Sequence, residues 1–392
     1  MKKDKVLIIT QPLRVNYGGI LQAYALQKVV AELGFEVWTD NTFYLKPLSL
    51  KHRVKDFLAR LLYGCFLNRE NYKPLIKKRP KRKDYEKVAK NILPFISQNI
   101  KTIDFFESRV FPKASNIEKF DIFISGSDQV WRRKYGVVTR YFFDFLRNTN
   151  KKRFSYSASF GTDNLNEYSQ KEKRECKELI KSFSSISVRE DSAIEIILKE
   201  FEQRAVLTLD PTFLLSKEDY LSLINNSYSK ADNTLTENLF VYILDESKEK
   251  EELKEVLSRR LALKTLDIMP KKDWKTLTSK EIDENAVFPS VEEWLKGLVN
   301  AKFVLTDSFH AVVFSIIFNK PFLCIGNKER GLTRFTSLLT LFDLDSRLIY
   351  NKKDLTGILL HNIYRIDYEK INIRKEELKQ KSLDYLNKNL SL

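Results

Sequence analysis

The chain is short of cysteine, of histidine and of long apolar runs, and each shortage excludes something. Its 392 residues hold three cysteines, Cys65, Cys176 and Cys324, odd in number and far apart. That argues against a disulfide framework and a clustered metal site, and it fits a reducing cytoplasm. No stretch approaches the roughly 20 apolar residues that a membrane-spanning helix needs. Near the start only Val6–Ile9 is apolar before Thr10-Gln11-Pro12, too short for the core of a signal peptide. Neither an internal repeat nor a low-complexity tract is present. The expectation is a cytoplasmic protein, at most peripheral at the inner face of the plasma membrane.

What is present is enough to fold. Hydrophobic residues make up 43%, with 27 Phe and 17 Tyr, so real cores can form and wholesale disorder is excluded. The length suits two domains rather than one. The net charge of +16, from 68 basic and 52 acidic residues, favours anionic partners such as phosphorylated substrates, nucleic acid or an acidic membrane face. A lysine-rich composition gives the same balance with no partner at all.

The organising stretch is Lys302–Gly326, KFVLTDSFHAVVFSIIFNKPFLCIG. A short apolar strand ends at Thr306-Asp307-Ser308, an apolar helix follows, Asn319-Lys320-Pro321 closes it, and a second strand begins. His310, one of three histidines, falls in the first turn of that helix, at the sheet edge where open α/β sheets bind ligands. The positive end of the helix dipole disfavours an imidazolium there, so a neutral imidazole able to accept a proton is expected. The competing reading is a histidine hydrogen-bonded into a helix cap.

Elsewhere strands and helices alternate. Residues 6–10 form a buried strand, 20–34 have helical spacing with Gly34 as the stop, and 35–38 form the next strand. The turn lacks G-x-G-x-x-G, yet Gly18 and Gly19 would let an anion approach the helix N–H groups, in the polar company of Asn16, Tyr17 and Gln22. Later strands end at Ser125, in the small polar run 155–161, at Arg189 and at Asp210. If they are parallel, Asn16, Asp128, Ser157 and Arg189 crowd one sheet edge, each with an alternative as a cap or turn residue. Glu190, Asp191 and Ser192 can cap the helix after Arg189. Arg330 and Arg334, four apart, would share one face of a helix near 329–342 and grip a phosphate or carboxylate.

The alternation breaks between about 45 and 115. Val54, Phe57, Leu58, Leu61, Leu62, Cys65 and Phe66 form a helical stripe beside basic residues, followed by the basic run 73–87. Such a segment either lies on an anionic membrane or packs on its own domain with its charges solvated. No recognised module supports nucleic-acid binding. The expected organisation is α/β: a Rossmann-like domain over 1–215 with the basic helical insertion, a second over 216–352, and a helical tail, 353–392, packing back on the first.

NYGGILQAYALQ (16–27), FISGSDQVW (123–131), SYSASFG (155–161), SVRE (187–190), LDPT (209–212) and TDSFH (306–310) together give the chain a resemblance to the polysaccharide pyruvyl transferase family. The resemblance covers most of the length. It implies two Rossmann-like domains facing a cleft, like GT-B glycosyltransferases. It implies transfer of pyruvate from phosphoenolpyruvate to a sugar of a surface polysaccharide or its lipid-linked precursor, as a cyclic ketal. By the same resemblance His310 matches the catalytic histidine and Arg189 an arginine that holds the donor. Two positions depart from the pattern: Ala311 stands where glycine is frequent, and Ser308 where some members have arginine. Arg330 or Arg334 would then supply the missing charge. Asp128 is the expected partner of His310 or a ligand of sugar hydroxyls. Ser308, Gly18 and Gly19 are assigned to the donor, and Asn16, Tyr17, Gln22, Gln129 and Trp131 to the acceptor. No motif demands a metal or cofactor. A sugar-nucleotide-dependent glycosyltransferase and a non-catalytic protein binding an anionic glycan or membrane are the competing readings.

Overall fold

The computed structural model describes residues 3–43, 82–107, 112, 114–225, 237–277, 280–327, 331–355 and 363–391. The basic helical stripe and most of the basic run lie outside these residues. Among the described residues no helix is long and apolar enough to cross a membrane.

Five apolar runs form a parallel sheet in the order β3-β2-β1-β4-β5: Thr102–Ile103, Glu36–Asp40, Lys5–Ile9, Ile122–Ser125 and Lys152–Ser155. Two more strands, β6 (Ser187–Val188) and β7 (Val206–Leu207), extend the β5 edge, because Ala158 bridges Val188 and donates its N–H to Ser187 O at 3.2 Å. The order reverses between β1 and β4, which pair from Val6–Ile122 to Ile9–Ser125. A crevice therefore opens at the carboxyl ends of these two strands. The strands are buried on both faces, as helix-covered parallel sheets require.

Strand β3 is a departure from expectation. It lies within the stretch where the alternation is lost, yet it pairs with β2 at Thr39–Thr102. Two residues are too few to carry a period. Helices Arg82–Val88 and Leu93–Asn99 lead into it, and Val88, Ala89 and Ile92 enter the main core. At least this part of the expected insertion completes the first sheet.

The second sheet, β12-β11-β10-β8-β9, is also parallel: Leu348–Ile349, Phe322–Ile325, Ala301–Thr306, Asn238–Tyr242 and Thr265–Asp267. Its order reverses between β8 and β10, and helix Phe309–Ile317 starts directly after β10. Across this second crevice the Asp307 carboxylate accepts the N–H groups of Leu244 and Asp245 at 2.6 and 3.2 Å, and Lys250 Nζ at 2.7 Å.

The main hydrophobic cluster runs through both halves. Tyr17 stacks on Trp294 at 5.5 Å, and Trp294 meets Tyr242 and Phe314 edge-on. Helix Tyr368–Leu390 bridges the halves again. Tyr368 Oη donates to Lys320 O of the second half, whereas Tyr385 Oη donates to Ser155 O of the first, and Ser382 Oγ accepts the Leu209 N–H.

Candidate functional site

The two crevices face each other, and His310 meets the first helix where they do. That helix, Tyr17–Glu32, takes Asn16 as its N-cap residue, and its first intrahelical bond is from Ile20 N to Asn16 O. The N–H groups of Tyr17, Gly18 and Gly19 therefore lack helical partners. A Cβ at Gly18 would lie 2.2 Å from Cγ and Nδ1 of His310. The imidazole packs directly on backbone, and glycine is the residue that permits it.

The other side of the imidazole faces Asp210, which follows β7 and caps the 3-10 helix Pro211–Leu214. Oδ1 of Asp210 accepts the Thr212 N–H at 3.1 Å and its hydroxyl at 2.7 Å. Oδ2 accepts Arg189 Nη1 at 2.7 Å and Ser127 Oγ at 3.4 Å, and lies 3.4 Å from His310 Nε2. The last approach is within ion-pair range but lacks hydrogen-bond geometry, so Nε2 has no hydrogen-bond partner among the described residues. Arg189 reaches Asp128 Oδ1 with Nη2 at 3.2 Å. Asp128 has φ 75°, a left-handed conformation that aspartate tolerates better than most residues.

These side chains are buried, with Asp210, Asp128, Arg189, His310 and Arg334 all 2–6% exposed. Burial alone would raise the pKa of Asp210, but His310 and Arg189 outweigh it and hold that carboxyl well below the usual range. Burial likewise opposes the charge on Asp128, and Arg189 overcomes it. Glu190 goes the other way, since burial pushes its carboxyl up. Arg334 is lowered to about 10 by burial and by its neighbour Arg189, and it remains a cation at neutral pH. Both guanidiniums approach the Phe309 ring, Arg189 at 4.3 Å and Arg334 at 5.6 Å. The residue preceding His310 is thereby fixed from both halves of the protein.

The structure brings His310, Gly18, Asp128, Arg189 and Arg334 together. Ser308 is buried as the N-cap residue of the histidine helix, and its N–H donates to Thr306 Oγ1. Asn16 is exposed at the N-terminus of the first helix, with its amide against Gly19. Gln22 is buried behind it, donating to Thr10 Oγ1 and Gly19 O. Gln129 accepts from Arg132 Nη1. Arg330 lies outside the described residues, and the helix that carries Arg334 runs from Thr333 to Leu341.

Two expected site residues go to the core instead. Tyr17 is fully buried against Trp294 and donates its hydroxyl to Pro289 O. Trp131 is fully buried, stacked on Phe142 at 5.0 Å. Large rings next to a polar motif fill the gap beneath it, where apolar area is removed from water. Glu190 also differs from its expected role: as N-cap residue it makes no side-chain cap, and its Oε1 instead accepts Ser159 Oγ and the N–H groups of Phe160 and Gly161. The residue that sequence reasoning passed over is Asp210. Its signals were its place at a strand exit before proline, which a turn explains equally well, and its presence in the block LDPT (209–212), which carried no role for it.

Similarity to known proteins agrees with this architecture. No curated protein matches the chain. Among solved structures it is similar to UGT89C1 of Arabidopsis thaliana complexed with UDP-L-rhamnose, at 12% identity, covering 100% of both chains with a TM-score of 0.50. It is also similar to the S. aureus MnaA–UDP co-structure, at 13% identity over 98% of this chain and 97% of that one, with a TM-score of 0.48. At 12% identity the likeness to UGT89C1 concerns fold alone, and with the two parallel sheets described above the fold is two Rossmann-like domains in the GT-B arrangement. The sequence pattern of the polysaccharide pyruvyl transferases matches residues 16–329, which takes in both crevices and the histidine between them, and the chain belongs to that family of transferases.

Proposed function

We propose that the protein transfers the pyruvyl group of phosphoenolpyruvate to two hydroxyls of one sugar in a surface polysaccharide or its lipid-linked precursor. The observation that carries the reading is the placement of His310. A buried imidazole stands between a carboxylate and the N-terminus of a helix, with Arg334 over the ring of the adjoining Phe309. That set suits chemistry in which one group moves protons and fixed positive charge holds an anion.

The reaction balances without a further reactant. One sugar hydroxyl attacks C2 of phosphoenolpyruvate, and the methylene gains a proton to become methyl. The C2–oxygen bond to phosphate breaks, the second hydroxyl attacks C2, and its proton leaves with phosphate. His310 is the group to accept a hydroxyl proton and pass it on. Arg334, Arg330, the N–H groups of Gly18 and Gly19, and the Ser308 hydroxyl are assigned to the donor's phosphate and carboxylate. Arg189 holds Asp210 with Nη1 and Asp128 with Nη2, which leaves part of its five-donor fork for the donor. Asp128, kept ionised, is suited to accept hydrogen bonds from sugar hydroxyls rather than to donate a proton, and exposed Asn16 is a candidate to share that acceptor.

The test is phosphate release from phosphoenolpyruvate over a panel of galactosides, mannosides and glucosides, with UDP- and GDP-sugars as rival donors. Acceptor-dependent release should occur and fall about 100-fold or more in His310→Ala. Tight nucleotide binding with no response to phosphoenolpyruvate would replace this reading with sugar transfer.

A further inference from the structure

We propose that Asp210 is the positioning residue of His310, a carboxylate of the first domain that orients and charge-stabilises the imidazole of the second. Only the activity arm of this inference rests on the pyruvyl-transfer reading; the geometry stands apart from it.

Asp210 has almost no freedom of its own. Thr212 fixes Oδ1 with two hydrogen bonds, which turns Oδ2 toward Arg189, Ser127 and His310. Gly18 walls the opposite side of the imidazole, and the neighbouring Phe309 ring is gripped by Arg189 and Arg334. The ring therefore has one orientation, with Nε2 toward a carboxylate 100 positions away in sequence and on the other domain.

The chemistry of that contact is one of charge. An imidazole that takes up a hydroxyl proton becomes a cation in a buried site, where an uncompensated charge is costly. Asp210 and Asp128 favour that cation, whereas Arg189, Arg334 and the positive ends of helices Tyr17–Glu32 and Phe309–Ile317 oppose it. Asp210 is the group in ion-pair range, and it need not take the proton itself, as in the serine-hydrolase triad. Because the two residues come from different halves, the histidine is oriented only while the halves are closed on each other.

The experiment uses the full chain with isotope-labelled histidine, in the wild type and in the near-isosteric Asp210→Asn. Nitrogen NMR of His310 should show the proton on Nε2 in the wild type, where the charge of the Asp210 carboxylate 3.4 Å away favours it, and averaging between the two tautomers in the variant. Its kcat should fall about 100-fold with the KM for phosphoenolpyruvate within threefold, and the acid limb of the kcat/KM profile should move to lower pH. Asp128→Asn removes the other carboxylate of Arg189 and should leave the tautomer fixed. Thr212→Val keeps the charge but unpins it, and should lower kcat even if Asp210→Asn fails to fold. An unchanged tautomer in folded Asp210→Asn, averaging in Asp128→Asn as well, or full kcat in Thr212→Val would overturn the proposal. A tautomer released by Asp210→Asn in a protein that does not turn over phosphoenolpyruvate would support the positioning and reject the reaction.

Discussion

Gly18 has no side chain, and the imidazole of His310 lies where its Cβ would be. The helix starting at Tyr17 thus meets the catalytic candidate through bare backbone, at the end where its N–H groups lack helical partners. Gly18→Ala should cost at least tenfold in turnover, because the added methyl at 2.2 Å must displace a ring held on its other side by Asp210. Steady-state kinetics check this, and wild-type turnover in that variant would show that the ring need not sit where it does. The same residue scale sets the acid behaviour. Asp210 and Asp128 have folded pKa values below their unfolded ones. Their stabilisation is therefore full above the unfolded value of about 3.9 and lost as pH falls below it. Glu190 has the opposite sign: its folded value is raised, so it favours the fold less as pH rises through that value. Urea midpoints should fall steeply below about pH 4 in the wild type and less steeply in Asp210→Asn.

Elements carry the site because their ends are well specified. Helix Val291–Asn300 begins with a capping box, Ser290 accepting from Glu293 N while the Glu293 carboxylate accepts from Ser290 N. It presents Trp294 to Tyr17 across the seam between the domains. Ser290→Ala should cost about 1 kcal/mol of stability, measured by urea unfolding, and a loss near zero would mean that packing alone holds this helix. Gly331 stands at the approach to helix Thr333–Leu341 with φ 97°, and a Cβ there would come within 1.8 Å of Gly161 O in the other domain. Most of these elements are apparent in sequence, since three or more apolar residues followed by turn chemistry mark β1, β4, β8, β10 and β11. Strand β3 is not, because two residues carry no period. Nor are the places of Tyr17 and Trp131, since an aromatic beside a polar motif fits a site rim and a core equally well until the packing around it is known.

At the scale of the molecule the domains are not independent bodies. One apolar cluster spans both sheets, Ser337 Oγ exchanges hydrogen bonds with Asp191 across the seam, and helix Tyr368–Leu390 is anchored on each side. Thermal unfolding should therefore be one cooperative transition with equal calorimetric and van't Hoff enthalpies. Two resolved transitions would show that the seam contributes little. Sequence by itself determined the alternation of strands and helices, the parallel α/β class, and the placement of His310, Asp128 and Arg189 at strand exits, because those follow from local periodicity and turn chemistry. Only the tertiary structure decided which of them meet. Asp210 faces His310, and Arg189 spends its two ends on carboxylates, because two crevices close on each other and buried charges must find partners. That pairing depends on contacts between residues a hundred positions apart, which no local pattern encodes.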